Sequence, residues 1–145
     1  MGPRHLSSHE LNHEVAFTIL TPANALFCQR VYVADWKAER LVCLELDPRQ
    51  GFNTKWIQPQ KMFCFSSLCA DSGHWQVVST HYDSNHGEQV VWRDAATGVE
   101  AARSACLDPQ FNGSNVGPGS DGRFYYLAQS YRAIVELTPV PAPQQ

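Results

Sequence analysis

Two histidines and a glutamate early in the chain have the spacing that zinc hydrolases use. Residues 9–13 read His-Glu-Leu-Asn-His, so His9 and His13 are four positions apart. On a helix, this spacing puts both imidazoles on one face, and Glu10 would activate a metal-bound water. However, only eight residues precede the motif, Glu14 stands where such enzymes carry an apolar residue, and no spaced third ligand follows. We therefore expect no metal at His9, Glu10 and His13, and keep a zinc hydrolase as an alternative.

The remaining histidines and the cysteines give no stronger metal signal. His74 and His81 are seven positions apart, and this odd offset puts them on opposite faces of a predicted strand. Residues 83–94 superficially resemble a calcium loop, but Asp94 replaces the glutamate required at the last ligand position. The five cysteines include no Cys-x-x-Cys pair, which favours buried free thiols over a disulfide scaffold or a zinc site. The sequence therefore predicts no cofactor.

A pattern of paired strands recurs along the chain. Ala34, Ser79 and Ala128 occupy equivalent places in three repeats, 45 and 49 positions apart. Alternating apolar residues within each repeat predict short strands that are half-buried in a sheet. A period in this range, with two or more short strands per repeat, is typical of a β-propeller blade. The predicted strand pairs are residues 31–35 with 40–46, 75–79 with 89–93, and 124–129 with 133–137.

Further strands are predicted beside these pairs. Residues 15–20 form a β-branched and aromatic run that would be the innermost strand of the first sheet. Residues 117–119, Gly-Pro-Gly, would interrupt the first strand of the third sheet and leave a flexible loop. The proline-rich segment 139–145 predicts a disordered tail, with no strand after Leu137. The other predicted strands are residues 55–58, 62–68, 99–106 and 114–116.

Several short motifs resemble those of known repeat families. Asp-Ser-Gly-His-Trp at 71–75 and Ser-Asp-Gly-Arg-Phe at 120–124 resemble the Pro-Asp-Gly-Lys/Arg-aromatic hairpin of YVTN and WD40-like propellers. Val-Tyr-Val-Ala-Asp at 31–35 resembles the strand that names the YVTN group and also occurs in NHL and gluconolactonase-like families. Residues 91–98 are similar to the Val-Trp-Asp-x-x-Thr-Gly strand end of WD40 blades, with one residue inserted.

The resemblance implies an all-β fold with three propeller-like antiparallel blades. It covers residues 15–138, flanked by an N-terminal segment at 1–14 and the proline-rich tail at 139–145. Closed propellers have about four to eight blades. The resemblance therefore implies a partial propeller, either a fragment, an open stack of sheets, or a ring that several protomers complete.

Composition and charge exclude some classes of function. The chain has 145 residues, a net charge of −3, and eleven Lys and Arg residues that form no run. A basic face that could bind nucleic acid through its phosphates is therefore not expected. No apolar run is long enough to span a bilayer, and the first residues lack the apolar segment of a secretory signal. We therefore expect a cytoplasmic protein that binds neither nucleic acid nor membrane.

The function expected from these observations is a non-catalytic protein-binding or assembly module. The alternatives are the zinc hydrolase at residues 9–13 and a fragment of a lactonase-like propeller enzyme. Rigid sheets commonly present functional loops, so contacts are expected in residues 82–88 and 112–119. The expected binding residues are Tyr82, Asp83, Asn85, His86, Asn112 and Asn115.

Self-association or a partner protein is also expected from the number of sheets. Three blades would leave one uncovered face on the first and third sheets, carrying large apolar residues. A missing outer strand would also leave an edge at residues 133–137 that is competent to pair with another strand. The residues expected on the uncovered faces are Phe17, Tyr32, Phe124 and Tyr126.

We predict that elemental analysis of the purified protein detects no stoichiometric zinc, because the motif lacks a third ligand and a supporting frame. About one zinc per chain, lost on His13→Ala, would overturn this prediction.

Overall fold

The computed structural model describes residues 15–20, 30–35, 37–61, 67–71, 74–83, 87–107, 115–119, 123–128 and 131–142. Within these residues there is no α-helix and the structure consists of strands and turns, so the predicted all-β class is confirmed. No helix in this part of the chain is long and apolar enough to cross a membrane. The strands are β1 (Val15–Leu20), β2 (Arg30–Asp35), β3 (Arg40–Asp47), β4 (Gly51–Pro59), β5 (Ser67–Asp71), β6 (His74–Asp83), β7 (Gly87–Asp94), β8 (Glu100–Arg103), β9 (Asn115–Pro118), β10 (Phe124–Ala128), β11 (Ala133–Leu137) and β12 (Val140–Pro141).

The chain divides into two compact units that contain three antiparallel sheets. The first unit, Met1–Gln60, holds one sheet in the order β1-β2-β3-β4. The second unit, Lys61–Gln145, holds a five-stranded sheet in the order β12-β8-β7-β6-β5 and a three-stranded sheet in the order β11-β10-β9. Strands β1–β4 and β5–β8 therefore repeat one antiparallel meander, while β12 pairs with β8.

Side chains of β2 and β3 alternate between the two faces of the first sheet, and they are buried on both faces. Val33 pairs with Val42, and both are fully buried on one face. On the other face, Tyr32 pairs with Cys43, and the Tyr32 ring lies 5.8 Å from the ring of Trp56. β-branched and aromatic side chains suit such pleated, buried positions, which explains why this segment forms strands.

The core of the second unit lies between its two sheets. Val90 and Trp92 project from β7, while Phe124 and Tyr126 project from β10, and all four side chains are buried in one apolar cluster. The rings of Trp92 and Phe124 meet edge to face, with centroids 5.9 Å apart and planes at 79°. Such aromatic pairs stabilise a core by about 1 kcal/mol beyond the area that they bury.

An aspartate and a glycine shape the turn between β3 and β4. The Asp47 carboxylate accepts hydrogen bonds from the amides of Arg49 and Gln50, at 2.7 and 3.0 Å. Gly51 follows with φ of 80°, a left-handed conformation that glycine adopts without a steric penalty. This carboxylate therefore satisfies two backbone donors that the tight turn leaves outside the ladder.

The turn between β7 and β8 uses the same arrangement. The Asp94 carboxylate accepts from the amides of Ala96 and Thr97, at 3.0 and 2.7 Å, and from the Thr97 hydroxyl at 2.8 Å. Gly98 has φ of 74°, and its amide donates to the carbonyl of Asp94 at 2.8 Å. Asp47 and Asp94 both end the third strand of a meander, so the two meanders share this turn.

The strand pairs predicted from the repeat are found in the structure. β2 pairs with β3, β6 with β7, and β10 with β11, each antiparallel. The predicted first strand at 15–20 also forms and pairs with β2. The predicted strand at 55–58 is part of the longer β4, and the one at 99–106 is the shorter β8. The predicted strand at 62–68 falls mostly outside the described residues.

Two segments that were expected to be irregular form strands. The expected loop at 112–119 contains β9, which runs through Gly117 and Pro118 and pairs with β10. Proline is tolerated there because β9 lies at the edge of its sheet, where one side of the strand needs no amide donor. Val140 and Pro141, placed in the expected disordered tail, instead pair with Arg103 and Ala102 at the edge of the five-stranded sheet.

The expectation of uncovered apolar faces was wrong for three of the four residues. Tyr32 is 2% exposed and Tyr126 0%, and Phe124 is also buried. Tyr126 and Phe124 are covered because the two sheets of the second unit pack face to face, which strand prediction alone does not reveal. The side chain of Phe17 lies outside the described part of the structure.

We predict that Asp94→Ala lowers the free energy of unfolding by about 1 kcal/mol, because the turn amides lose their acceptor. Asp94→Asn keeps an acceptor oxygen and should lose less than half as much. Urea denaturation of the three proteins measures the difference. Equal loss in both variants would show that the carboxylate does not act through these hydrogen bonds.

Candidate interaction surface

The outward face of the β10–β11 hairpin carries large apolar side chains that are exposed. Register places Leu127 opposite Ile134, and these side chains are 40% and 71% exposed. Tyr131, in the connection between the two strands, is 50% exposed. Both strands are anchored from the other side, where Tyr126 and Leu137 are buried in the core of the second unit. The hairpin therefore presents an apolar row on a firmly packed support.

β11 also lies at an open edge of its sheet. Its only strand partner in the described structure is β10, so the other side of its backbone has no ladder. An edge strand presents amides and carbonyls that can pair with a strand from another chain. The sequence predicted this edge at residues 133–137 but did not single out Leu127, Tyr131 or Ile134.

Charged residues flank the apolar row. The Arg123 guanidinium lies 3.1 Å from the Glu136 carboxylate, and both side chains are about half exposed. Arg132 precedes β11, is exposed and has φ of 51°. Exposed ion pairs of this kind add little stability, so these charges are available for recognition.

The residues predicted to bind a partner lie in several places. Tyr82 and Asp83 are at the end of β6, opposite Glu88 and Gly87, instead of in a free loop. The Tyr82 amide donates to the carbonyl of Lys61 at 2.8 Å, and the Lys61 ammonium lies 5.6 Å from the centre of the Tyr82 ring.

Register places Asn115, the first residue of β9, opposite Leu127. Among the predicted binding residues that the structure describes, Asn115 therefore lies in the same cross-strand row as Leu127 and Ile134. Asn85, His86 and Asn112 lie outside the described residues, as do His9, Glu10 and His13 of the alternative metal site.

A polar network on the five-stranded sheet is the main competing site. It occupies the face opposite Val90 and Trp92, where Arg103 donates to both oxygens of Glu100 at 2.7 Å. A third Arg103 nitrogen donates to the Gln89 side chain at 2.8 Å. Arg93 lies 3.9 Å from Glu100 and is mostly buried.

The chemistry of this network is that of a fixed ion cluster. The hydrogen bonds from Arg103 lower the pKa of Glu100, and the charges of Arg103, Arg93 and His81 lower it further. Burial lowers the pKa of Arg93, while Glu100 opposes that shift. Glu100 is therefore ionised at neutral pH and cannot supply a proton there, so the network serves to hold β7 and β8 together.

The buried groups Cys43 and Tyr32 of the first unit are not poised to exchange a proton at neutral pH. Burial raises the pKa of Cys43 to about 11, so its thiol is protonated at neutral pH and is a poor nucleophile. Burial also raises the pKa of its neighbour Tyr32. In the described part of the chain, no group of three or more His, Cys, Asp or Glu residues is placed to hold a metal ion.

Comparison with protein-family models, curated proteins and solved structures gave no match for this chain.

We predict that Glu100→Gln lowers the free energy of unfolding at pH 7 by about 1 kcal/mol, since the ion pair is only partly shielded from solvent. The folded-state pKa of Glu100 lies below its ordinary value of 4.5. The stabilisation is therefore complete above pH 4.5 and is lost as the pH falls through the folded-state value.

Denaturation of wild type and variant across this pH range measures the effect. The control is Glu136→Gln, which removes the exposed pair with Arg123 and should change stability much less. A difference between Glu100→Gln and wild type that does not shrink in acid would contradict the assignment.

Proposed function

We propose that this protein is a non-catalytic binding or assembly module, and that the edge and outward face of the β10–β11 hairpin contact another protein chain. The observation that carries the proposal is the exposed pair of Leu127 and Ile134 beside an open strand edge. Apolar side chains gain free energy when a partner covers them, and an open ladder gives the partner a direction and a register. Both features occur on one hairpin.

The architecture proposed for this module is a partial propeller, with the three sheets as blades. Support comes from the meander order shared by β1–β4 and β5–β8, and from the matching turns at Asp47 and Asp94. Such repeated sheets commonly act as rigid scaffolds for contacts. The proposed binding residues at the end of β6 and the start of β9 would extend the contact surface.

A binding role fits the titratable groups described above better than acid–base or nucleophilic catalysis. Glu100 is held ionised and Cys43 is held protonated at neutral pH, so neither is poised to exchange a proton. Catalytic groups usually have a pKa shifted towards the working pH. The pKa values of Glu100 and Cys43 are instead shifted away from neutral pH.

The proposal is tested by placing a photo-cross-linking amino acid at position 134 in cells that express the protein. The matched control is position 99, because Val99 is also an exposed apolar residue of the second unit, at 62% against 71% for Ile134. We expect a discrete adduct from position 134 and none from position 99. Equal labelling at both positions, or no adduct at either, would refute a binding role for the hairpin.

A further inference from the structure

We infer that the partner of the β11 edge is a second copy of this chain, paired antiparallel about a two-fold axis that places Ile134 opposite Ile134 of the other copy. This inference rests on the proposed function and adds the partner and the register. A two-fold contact is self-complementary, so each residue of β11 must face a suitable residue of the same strand.

The geometry of antiparallel pairing limits the choice of register. Facing residues must project from the same side of the joined sheet, and side chains alternate along a strand. When a strand pairs with its own copy, one residue must therefore face its own counterpart across the axis. The alternative registers differ in which residue of β11 lies on the two-fold axis.

The side chains of β11 distinguish these registers. An axis at Glu136 would place two carboxylates opposite each other, which is destabilising. An axis at Val135 would oppose Ile134 to the charged Glu136 of the partner. An axis at Ile134 instead pairs two of the most exposed apolar side chains, so the largest apolar area is covered by an apolar neighbour.

The same register is also favoured by charge. With Ile134 on the axis, Arg132, which directly precedes β11, comes near Glu136 of the second copy, and the contact occurs twice by symmetry. Arg132 makes no hydrogen bond or ion pair with any described residue, and it is exposed. Glu136 would then lie between Arg123 of its own chain and Arg132 of the other, which neutralises the only acidic residue of β11.

Charge reversal tests the register in the full-length chain. Arg132→Glu and Glu136→Arg each place like charges opposite each other at both symmetric contacts, and each should weaken self-association about tenfold. Mixing the two variants restores both attractive contacts, so the mixture should associate like the wild type. Sedimentation up to about 1 mM protein, where even millimolar affinities are populated, measures these dissociation constants.

Cysteine cross-linking tests the axis itself. Directly opposed strand residues have their β-carbons about 5 Å apart, close to what a disulfide needs, whereas diagonal neighbours are too far. Ile134→Cys should therefore give a disulfide between two copies under mild oxidation. Val135→Cys should not, because in this register Val135 faces Ala133 of the partner. Peptide mapping identifies the linked residue and separates it from links made by the five native cysteines, which include the exposed Cys106.

The outcomes separate this inference from the proposed function. A chain that stays monomeric at the highest concentration, or that cross-links at position 135 and not 134, overturns the inference. If position 134 still yields an adduct with a different protein in cells, the binding role stands and only the identity of the partner was wrong. Restored association in the charge mixture together with the 134 disulfide establishes the two-fold contact.

Discussion

The burial of one face of β10 is the constraint on which the proposed surface depends. Phe124, Tyr126 and Ala128 must project into the core of the second unit, and side chains along a strand alternate with a period of two. Leu127 therefore projects outward. Ile134 is paired with Leu127 and projects to the same side of the sheet. The Tyr126 hydroxyl strengthens this arrangement, because it donates to the Glu88 carboxylate at 2.6 Å and so enters the core with a hydrogen-bond partner. A slip of one residue would bury Leu127 but leave this hydrogen bond unmade.

The two aspartate turns show how one turn geometry forms from different residues. Pro-Arg-Gln separates Asp47 from Gly51, and Ala-Ala-Thr separates Asp94 from Gly98, yet the amides two and three positions after each aspartate bind its carboxylate. The turn needs only an acceptor at its first position and a residue that tolerates positive φ at its last. The residues between them are free to vary.

Much of the fold could be predicted from the sequence because its signals are local. Alternation and turn residues correctly predicted one strand pair in each of the three sheets, including β10 with β11. The extent of β9 and the pairing of β12 were missed. Glycine and proline normally indicate the end of a strand, and proline is tolerated within a strand when that strand lies at the edge of a sheet. The surface was predicted in part: the edge at β11 follows from a missing strand. The exposure of Leu127 and Ile134 depends on which face the other sheet covers, and that is a long-range property.

The pairing of β12 with β8 has a consequence for the sheet that β12 does not join. Residues 138–139 carry the chain from the end of β11 to the five-stranded sheet, where Val140 and Pro141 cover the outer side of β8. β12 thus covers the edge of the five-stranded sheet, whereas no described strand covers β11 in the three-stranded sheet. Residues 140–141 pair with β8, at the edge of the five-stranded sheet. A change that released β12 would therefore expose the edge of β8 in addition to that of β11, and the second unit would then present two strand edges on which aggregation could begin.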